Sequence, residues 1–369
     1  MARMQLVFVG VFFVLSIARV GASCFSTIYS FGDSLTDTGN ALISNPLVYH
    51  QINNLPYGET YFRKPTGRSS NGRLVIDFLA TSLDLPFVPP YLKVRRMPLS
   101  SRLSGTNFAV AGATALDPSF LIRRGVVATT DLSLSAQINW FTQLKNNTCK
   151  QNSGCQDHFS KALYFFGEIG ANDYIDATIL FNPMSEIQSY TSHILDNIQA
   201  SLKTLIQEGA KNILVQGIPP LGCSPAILTL RQFISDDFDE NGCLISYNQI
   251  SENQNSLLQR TIRRLNNKYS GVNLVYADYY HIALNILKGA KKYGFEETFE
   301  TCCGSGGGKY NFNILNMCGS NGNVKSCSDP SKSMNWDGIH LTEAAYQISA
   351  ASISHLVQKM CKSMHSFSC

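Results

Sequence analysis

The chain has 369 residues, 44% hydrophobic and 15% charged, with a formal net charge of +4. This composition excludes a disordered chain and calls for a substantial core. The few extra positive charges form no block, which removes nucleic-acid binding from the possible functions.

The chain opens on a processing signal. Arg3 precedes an apolar run over residues 6–15, and Gly21-Ala22-Ser23 follows it. That is the layout of a signal peptide, predicted over residues 1–23. The run is too short to cross a bilayer comfortably, and no later segment is apolar for long enough to do so. The expected product is a soluble, monomeric protein on the secretory route, extracellular or vacuolar, with no stable membrane insertion once the signal is removed. Residues 24–369 contain no linker or internal repeat and are expected to form one domain.

Strand-like runs then alternate with helical spacing. Residues 28–31 are apolar and end in Gly-Asp-Ser, and residues 74–83 carry Leu74, Phe78 and Leu79 on one helical face. Residues 107–110 are a strand candidate, and residues 162–166 have a buried-strand pattern stopped by Gly167. Ile187, Tyr190, Ile194, Ile198, Leu202 and Leu205 recur at helical spacing. A strand at 213–215 stops at Gly217 and Pro219-Pro220. Beyond it come a long helix striped by Leu258, Ile262 and Leu265, a strand at 272–277 and a closing helix at 341–357. Alternating β and α units predict a parallel sheet covered on both faces, an α/β fold of the flavodoxin-like, three-layer kind with about five strands.

Eleven cysteines agree with an oxidising compartment. Cys149 and Cys155 bracket a short loop, Cys223 and Cys243 a longer one, and Cys302, Cys303, Cys318 and Cys327 cluster in a glycine- and asparagine-rich region. Adjacent Cys302-Cys303 is poor zinc spacing, so disulfides are expected, with connectivity open. An odd count leaves at least one thiol unpaired, and Cys361 and Cys369 in the polar tail are the expected outliers. Asn146-Asn147-Thr148 is the sole glycosylation sequon, placed by its neighbours in a polar loop.

In a doubly wound sheet, ligands bind beyond the carboxyl ends of the strands. Ser34 follows the first predicted strand, Gly112 the second and Gly170-Ala171-Asn172-Asp173 the third, while Trp336-Asp337-Gly338-Ile339-His340 precedes the last helix. Singly, each has a plain structural explanation: a helix cap at Ser34, a backbone necessity at Gly112, a turn at Asn172. Together they supply a reaction. A serine hydroxyl needs a base, and the base needs a group to orient it. Asp337 and His340, three residues apart, can pair through one imidazole nitrogen while the other faces Ser34. A developing oxyanion needs fixed donors, which the backbone N–H of Ser34, the backbone N–H of Gly112 and the Asn172 amide can provide.

Ser34, Gly112, Asn172 and His340, in this order, resemble the four block residues of the SGNH hydrolases, and the chain from about residue 28 to the final helix resembles a plant GDSL esterase/lipase. Residues 31–40, 107–114, 170–173 and 336–340 all match that family's pattern. Residues 65–73 and 107–117 are most similar to its acetylajmalan esterase branch. The resemblance implies Ser34 as nucleophile, His340 as base, Asp337 as its orienting acid, and Gly112 and Asn172 as oxyanion donors. It also implies a small ester as substrate, a short acyl group on a bulky alcohol such as an alkaloid or glycoside, with no metal or cofactor. Acyl transfer to an alcohol would use the same residues, and longer-chain lipids are a further substrate class. A non-catalytic binding protein would leave the triad without purpose. Glu168-Ile169 falls where the family varies and leaves the polarity beneath the site open.

Three decoys are set aside. Asp33 and Asp37 lack further carboxylate partners for a metal and are expected to hydrogen-bond within the turn. Gly304-Ser305-Gly306-Gly307-Gly308-Lys309 imitates a phosphate loop, but Cys303 and Tyr310 stand where glycine and Ser/Thr are required. His50, His158, His193, His281 and His365 have no attached acid or serine motif and are expected to be structural or at the surface.

Overall fold

The computed structural model describes residues 24–150, 154–231, 233, 237–320 and 324–366. The proposed signal at 1–23 and Cys369 lie outside the described residues. Among those described, five strands form one parallel sheet: β1 (Ile28–Phe31), β2 (Thr106–Asn107), β3 (Leu163–Phe166), β4 (Asn212–Gln216) and β5 (Asn273–Ala277). Their order is β2-β1-β3-β4-β5, the doubly wound arrangement expected. The register pairs Phe31 with Phe166 and Phe166 with Val215, so the strands end nearly level. A small second sheet pairs β6 (Glu297–Thr301) with β7 (Ser333–Asn335).

Strand residues alternate between two cores, as a two-residue side-chain period demands. Ile28, Leu163, Phe165 and Leu214 face α1 (Val75–Ser82) and α8 (Glu343–Ser366). Tyr29, Phe31, Tyr164, Phe166, Ile213 and Val215 join the larger core with α2 (Leu134–Cys149), α4 (Met184–Gln207) and α6 (Ile245–Lys268). The fold is therefore an α/β/α sandwich. Three further helices shape the site: α3 (Ala171–Ile179), α5 (Pro225–Arg231) and α7 (Tyr279–Lys288). No helix among the described residues is long and apolar enough to cross a membrane.

Three expectations need correction. The second strand ends at Asn107 and does not continue to 110, and just past its end the Asn107 side chain folds back on its own backbone. Its Oδ1 accepts the Ala109 N–H at 2.8 Å, and its Nδ2 donates to the Thr36 carbonyl at 2.6 Å. Asn146 is exposed but stands in the last turn of α2 rather than in a loop, and the Thr148 hydroxyl of its sequon is buried, donating to the Leu144 carbonyl at 2.7 Å. Cys361 is no outlier. It is bonded to Cys24, 337 residues away, where the start of the described chain packs beside α8. Four other disulfides among the described residues join Cys149–Cys155, Cys223–Cys243, Cys302–Cys327 and Cys303–Cys318.

Candidate active site

β1 releases the chain into Gly32-Asp33-Ser34, and α2 grips it there. The Gly32 N–H donates to Gln137 Oε1 at 3.0 Å, and Gln137 Nε2 donates back to the Gly32 carbonyl at 2.8 Å. The Asp33 carbonyl accepts from the Thr36 and Asp37 N–H groups, closing a tight turn around Ser34. The serine is 5% exposed.

Gly112 occupies the left-handed region at φ 76°, and a Cβ there would lie 2.9 Å from the Thr129 side chain and 3.3 Å from the Tyr49 hydroxyl. Only glycine satisfies both conditions. The loop carrying it is slung between two buried acids from neighbouring motifs. Asp37 Oδ2 accepts the Ala111 N–H at 2.9 Å, and Asp173 accepts those of Ala115 and Leu116 at 2.8 and 2.9 Å. Asp37 accepts three more, from Gly39, Asn40 and Ala41. Burial, working against these donors, lifts Asp37 to about 6 and Asp173 to about 8.

His340 Nε2 lies 2.7 Å from Ser34 Oγ, while its Nδ1 lies 2.7 and 2.9 Å from the two Asp337 oxygens. Asp337 also accepts the N–H groups of Ile339 and His340 and the Tyr57 hydroxyl, the last at 2.7 Å. Burial alone would raise this carboxyl, but the His340 charge and the hydrogen bonds from His340 and Tyr57 outweigh it and hold Asp337 below the usual carboxylate range. For His340 burial lowers the pKa, and the Asp337 charge and hydrogen bond overcome that, with a net rise. Such a pair gives an oriented, strengthened base.

Asn172, on the first turn of α3, faces the same space, but both hydrogens of its amide are engaged. Nδ2 donates to Asp33 Oδ2 at 2.9 Å and to the Ala113 carbonyl at 3.0 Å. The backbone N–H groups of Ser34 and Gly112 make no hydrogen bond to the described residues. Two donors thus stand ready, and a third would exchange partners to reach an oxyanion. Beneath them Glu168 resolves the open question of polarity. It is fully buried, and burial, then the neighbouring Asp33 charge, raises it well above the carboxylate range. Glu168 therefore keeps its proton beside the Asp33 carboxylate.

Two cavities meet at Ser34. One is lined by Leu35, Glu168, Tyr279, Met334, Leu341 and Tyr346. The other takes in Tyr49, Gly112, Asp176, Ile227, Phe312 and His340, and Asn172 and Ile175 border both. Phe312 comes from the region bridged by Cys303–Cys318 and Cys302–Cys327, next to the glycine run that mimics a phosphate loop. It presses on the loop of Asp337 and His340 so closely that a Cβ on Gly338 (φ 94°) would lie 2.4 Å from its ring.

The structure thus brings Ser34, Gly112, Asn172, Asp337 and His340 to one edge of the sheet. Asp33 and Asp37 spend their oxygens on the turn, on Ala111 and on Asn172. His158 contacts the Tyr29 hydroxyl, His193 packs on Phe120, and His50 and His281 bond to Leu47 and Asp278 at the surface. The His365 side chain lies outside the described residues. Tyr57, Gln137 and Phe312 carry no mark of a site residue in the sequence. Tyr57 lies in a turn-rich stretch 280 residues from the acid it serves, and nothing in its local spacing marks it.

Residues 28–353 match the family described as GDSL-like Lipase/Acylhydrolase. Among curated proteins, the chain is 43% identical over 327 residues to GDSL esterase/lipase At1g28600 of Arabidopsis thaliana, covering 88% of this chain and 82% of the relative. It is 40% identical over 331 residues to GDSL esterase/lipase At5g45910 of the same plant, 88% of each. It is also 43% identical over 339 residues to the sinapine esterase of Brassica napus, 90% and 86% of the two chains.

Proposed function

The chain belongs to the GDSL-like lipase/acylhydrolase family of ester hydrolases, and from that premise we propose that Ser34 is the nucleophile of a secreted carboxylic ester hydrolase. The observation that carries this is the continuous relay Asp337–His340–Ser34, with 2.7 Å at each of its two contacts. His340 takes the Ser34 proton as Oγ attacks the ester carbonyl, and the oxyanion forms against the N–H groups of Ser34 and Gly112, joined by Asn172. Collapse of the tetrahedral adduct breaks the bond to the alcohol oxygen, which receives the proton from His340. Water, deprotonated by His340, then cleaves the acyl-enzyme.

His340 lines only one of the two cavities, so the leaving alcohol belongs in that one and the acyl group in the other, beside Leu35 and Met334. The substrate class we favour is an acetyl ester of a bulky specialised metabolite, an alkaloid or glycoside, on the similarity of residues 65–73 and 107–117 to the acetylajmalan esterase branch. The sinapine esterase relative makes sinapine a second candidate to assay. Five disulfides among the described residues fit export through an oxidising compartment, extracellular or vacuolar.

An organophosphonate should label the wild type and not Ser34→Ala. Labelling of that variant together with retained turnover would refute the assignment. Hydrolysis rates across acetyl, hydroxycinnamoyl and long-chain esters of one alcohol should rank acetyl first, and a long-chain preference would overturn the substrate class while leaving the nucleophile standing.

A further inference from the structure

The cavity assigned to the alcohol contains a carboxylate that the hydrolytic steps do not use. Asp176 lies four residues after Asn172 on α3, so the two share a helix face and the carboxylate stands one turn beyond the amide at Ser34. Asp176 is 8% exposed and lines the same cavity as Gly112 and His340. Its Oδ1 receives the Thr129 hydroxyl at a long 3.5 Å, with the Thr129 backbone N–H acting weakly beside it, and its Oδ2 has no hydrogen-bond partner among the described residues. Buried polar atoms are almost always paired, and an orphaned carboxylate oxygen in a ligand cavity marks a place where a ligand supplies the partner.

The surroundings specify the partner's charge. No lysine or arginine among the described residues lines this cavity. The other carboxylate in it, Asp337, is already matched by His340. Tyr49, Tyr57 and Phe312 contribute aromatic rings to the lining, whose faces attract cations. Exposed Asp131 lines an adjoining depression that shares Tyr49 and Thr129, adding negative charge near the entrance. A neutral hydroxyl would fill one lone pair and leave the charge uncompensated, whereas a protonated amine answers both and a quaternary ammonium answers the charge. Burial raises the empty carboxyl to about 7, so the charged form is costly until a cation sits beside it.

We propose that Asp176 forms a cation subsite for the alcohol half of the ester, selecting alcohols that carry a quaternary or protonated amine. This rests on reading Ser34 and His340 as an esterase pair, and the experiment separates the two. Acetylcholine and 3,3-dimethylbutyl acetate share a shape and a scissile bond and differ in charge. The wild type should prefer the cation in kcat/KM by tenfold or more, about the scale of one desolvated charge pair. In Asp176→Asn, measured on the same preparation, the ratio should fall to near one. Because both esters are read on one sample, loss of folded protein cancels. Should the variant not fold, wild-type turnover of p-nitrophenyl acetate decides: tetramethylammonium should inhibit it at about a tenth of the concentration required of neopentyl alcohol. A wild-type ratio near one, a ratio kept in Asp176→Asn, or equal inhibition by the two compounds each overturns the cation subsite. Absence of turnover on every ester would instead refute the esterase reading. In that event the subsite stands only if tetramethylammonium raises the melting temperature of the wild type and not that of Asp176→Asn.

Discussion

Ser34 and the proposed acid–base pair of Asp337 and His340 are held by different means. Ser34 leaves a strand in the middle of the sheet and is fixed by hydrogen bonds, with Gln137 gripping Gly32 and Asp37 gathering four backbone N–H groups. His340 and Asp337 sit on a loop after β7, a short strand outside the main sheet, and the region leading into it is bound by Cys302–Cys327 and Cys303–Cys318. A strand end inherits its position from the cooperative ladder beneath it, and polar side chains then refine it. A loop that leaves a short strand outside that sheet has only a few backbone hydrogen bonds beneath it, such as Trp336 N–H to the His340 carbonyl, and the two disulfides add covalent constraint. The acid–base half should therefore depend on redox state, and the nucleophile half on buried polar groups.

The largest effect should come from the base side. Asp337→Asn keeps the shape but presents an amide where His340 Nδ1 donates, so kcat on p-nitrophenyl acetate should fall by about 10⁴-fold, close to 5.5 kcal/mol, with little change in melting temperature. Next is the covalent brace. Removing Cys302–Cys327 as a Cys302→Ser/Cys327→Ser pair frees a 25-residue separation and should cost about 3.5 kcal/mol in calorimetry, with labelling of Ser34 declining less than turnover. Equal decline of both would mean that the two halves are not separately held. On the nucleophile side, Asp37→Asn turns an amide nitrogen towards N–H donors and should cost about 2–3 kcal/mol, read as a lower melting temperature. An effect below about 0.5 kcal/mol would remove Asp37 from the account.

The smallest expected effect is in the pH profile. The base must be neutral to act, and the Asp337 charge holds the His340 pKa above its ordinary 6.5 in spite of burial. The rising limb of kcat/KM should therefore have its midpoint above pH 6.5. The residual activity of Asp337→Asn should show that limb displaced to lower pH. A midpoint at or below 6.5 in the wild type would contradict the pairing.

What was legible in the sequence divides along the same line. Ser34, Gly112, Asn172, Asp337 and His340 each sit in a short motif at an element boundary, where local geometry and chemistry coincide, and all five meet in space. The strands β1, β3, β4 and β5 announced themselves as apolar runs, whereas β2 was drawn too long because the apolar run continues past Asn107 into a segment that an asparagine side chain, and not a second strand, holds on its outer side. Contacts between distant segments left no local trace. Cys24 reaches Cys361, Tyr57 reaches Asp337, and Glu168 meets Asp33 only once the sheet brings β1 and β3 side by side. Asp176 is one of several polar residues on a short helix until the cavity gives it a context.

The contact between Phe312 and Gly338 ties two inheritable traits into one. Phe312 helps to decide what fits against the site, while Gly338 separates the acid from the base, and the ring fills the volume a larger residue at 338 would need. Selection for a new substrate that reshapes Phe312 is felt at once in the register of Asp337 and His340. Substrate range in this enzyme should therefore diversify more freely through the α3 and α5 walls, at positions such as Ile179 and Ile227, than through the disulfide-bound wall opposite.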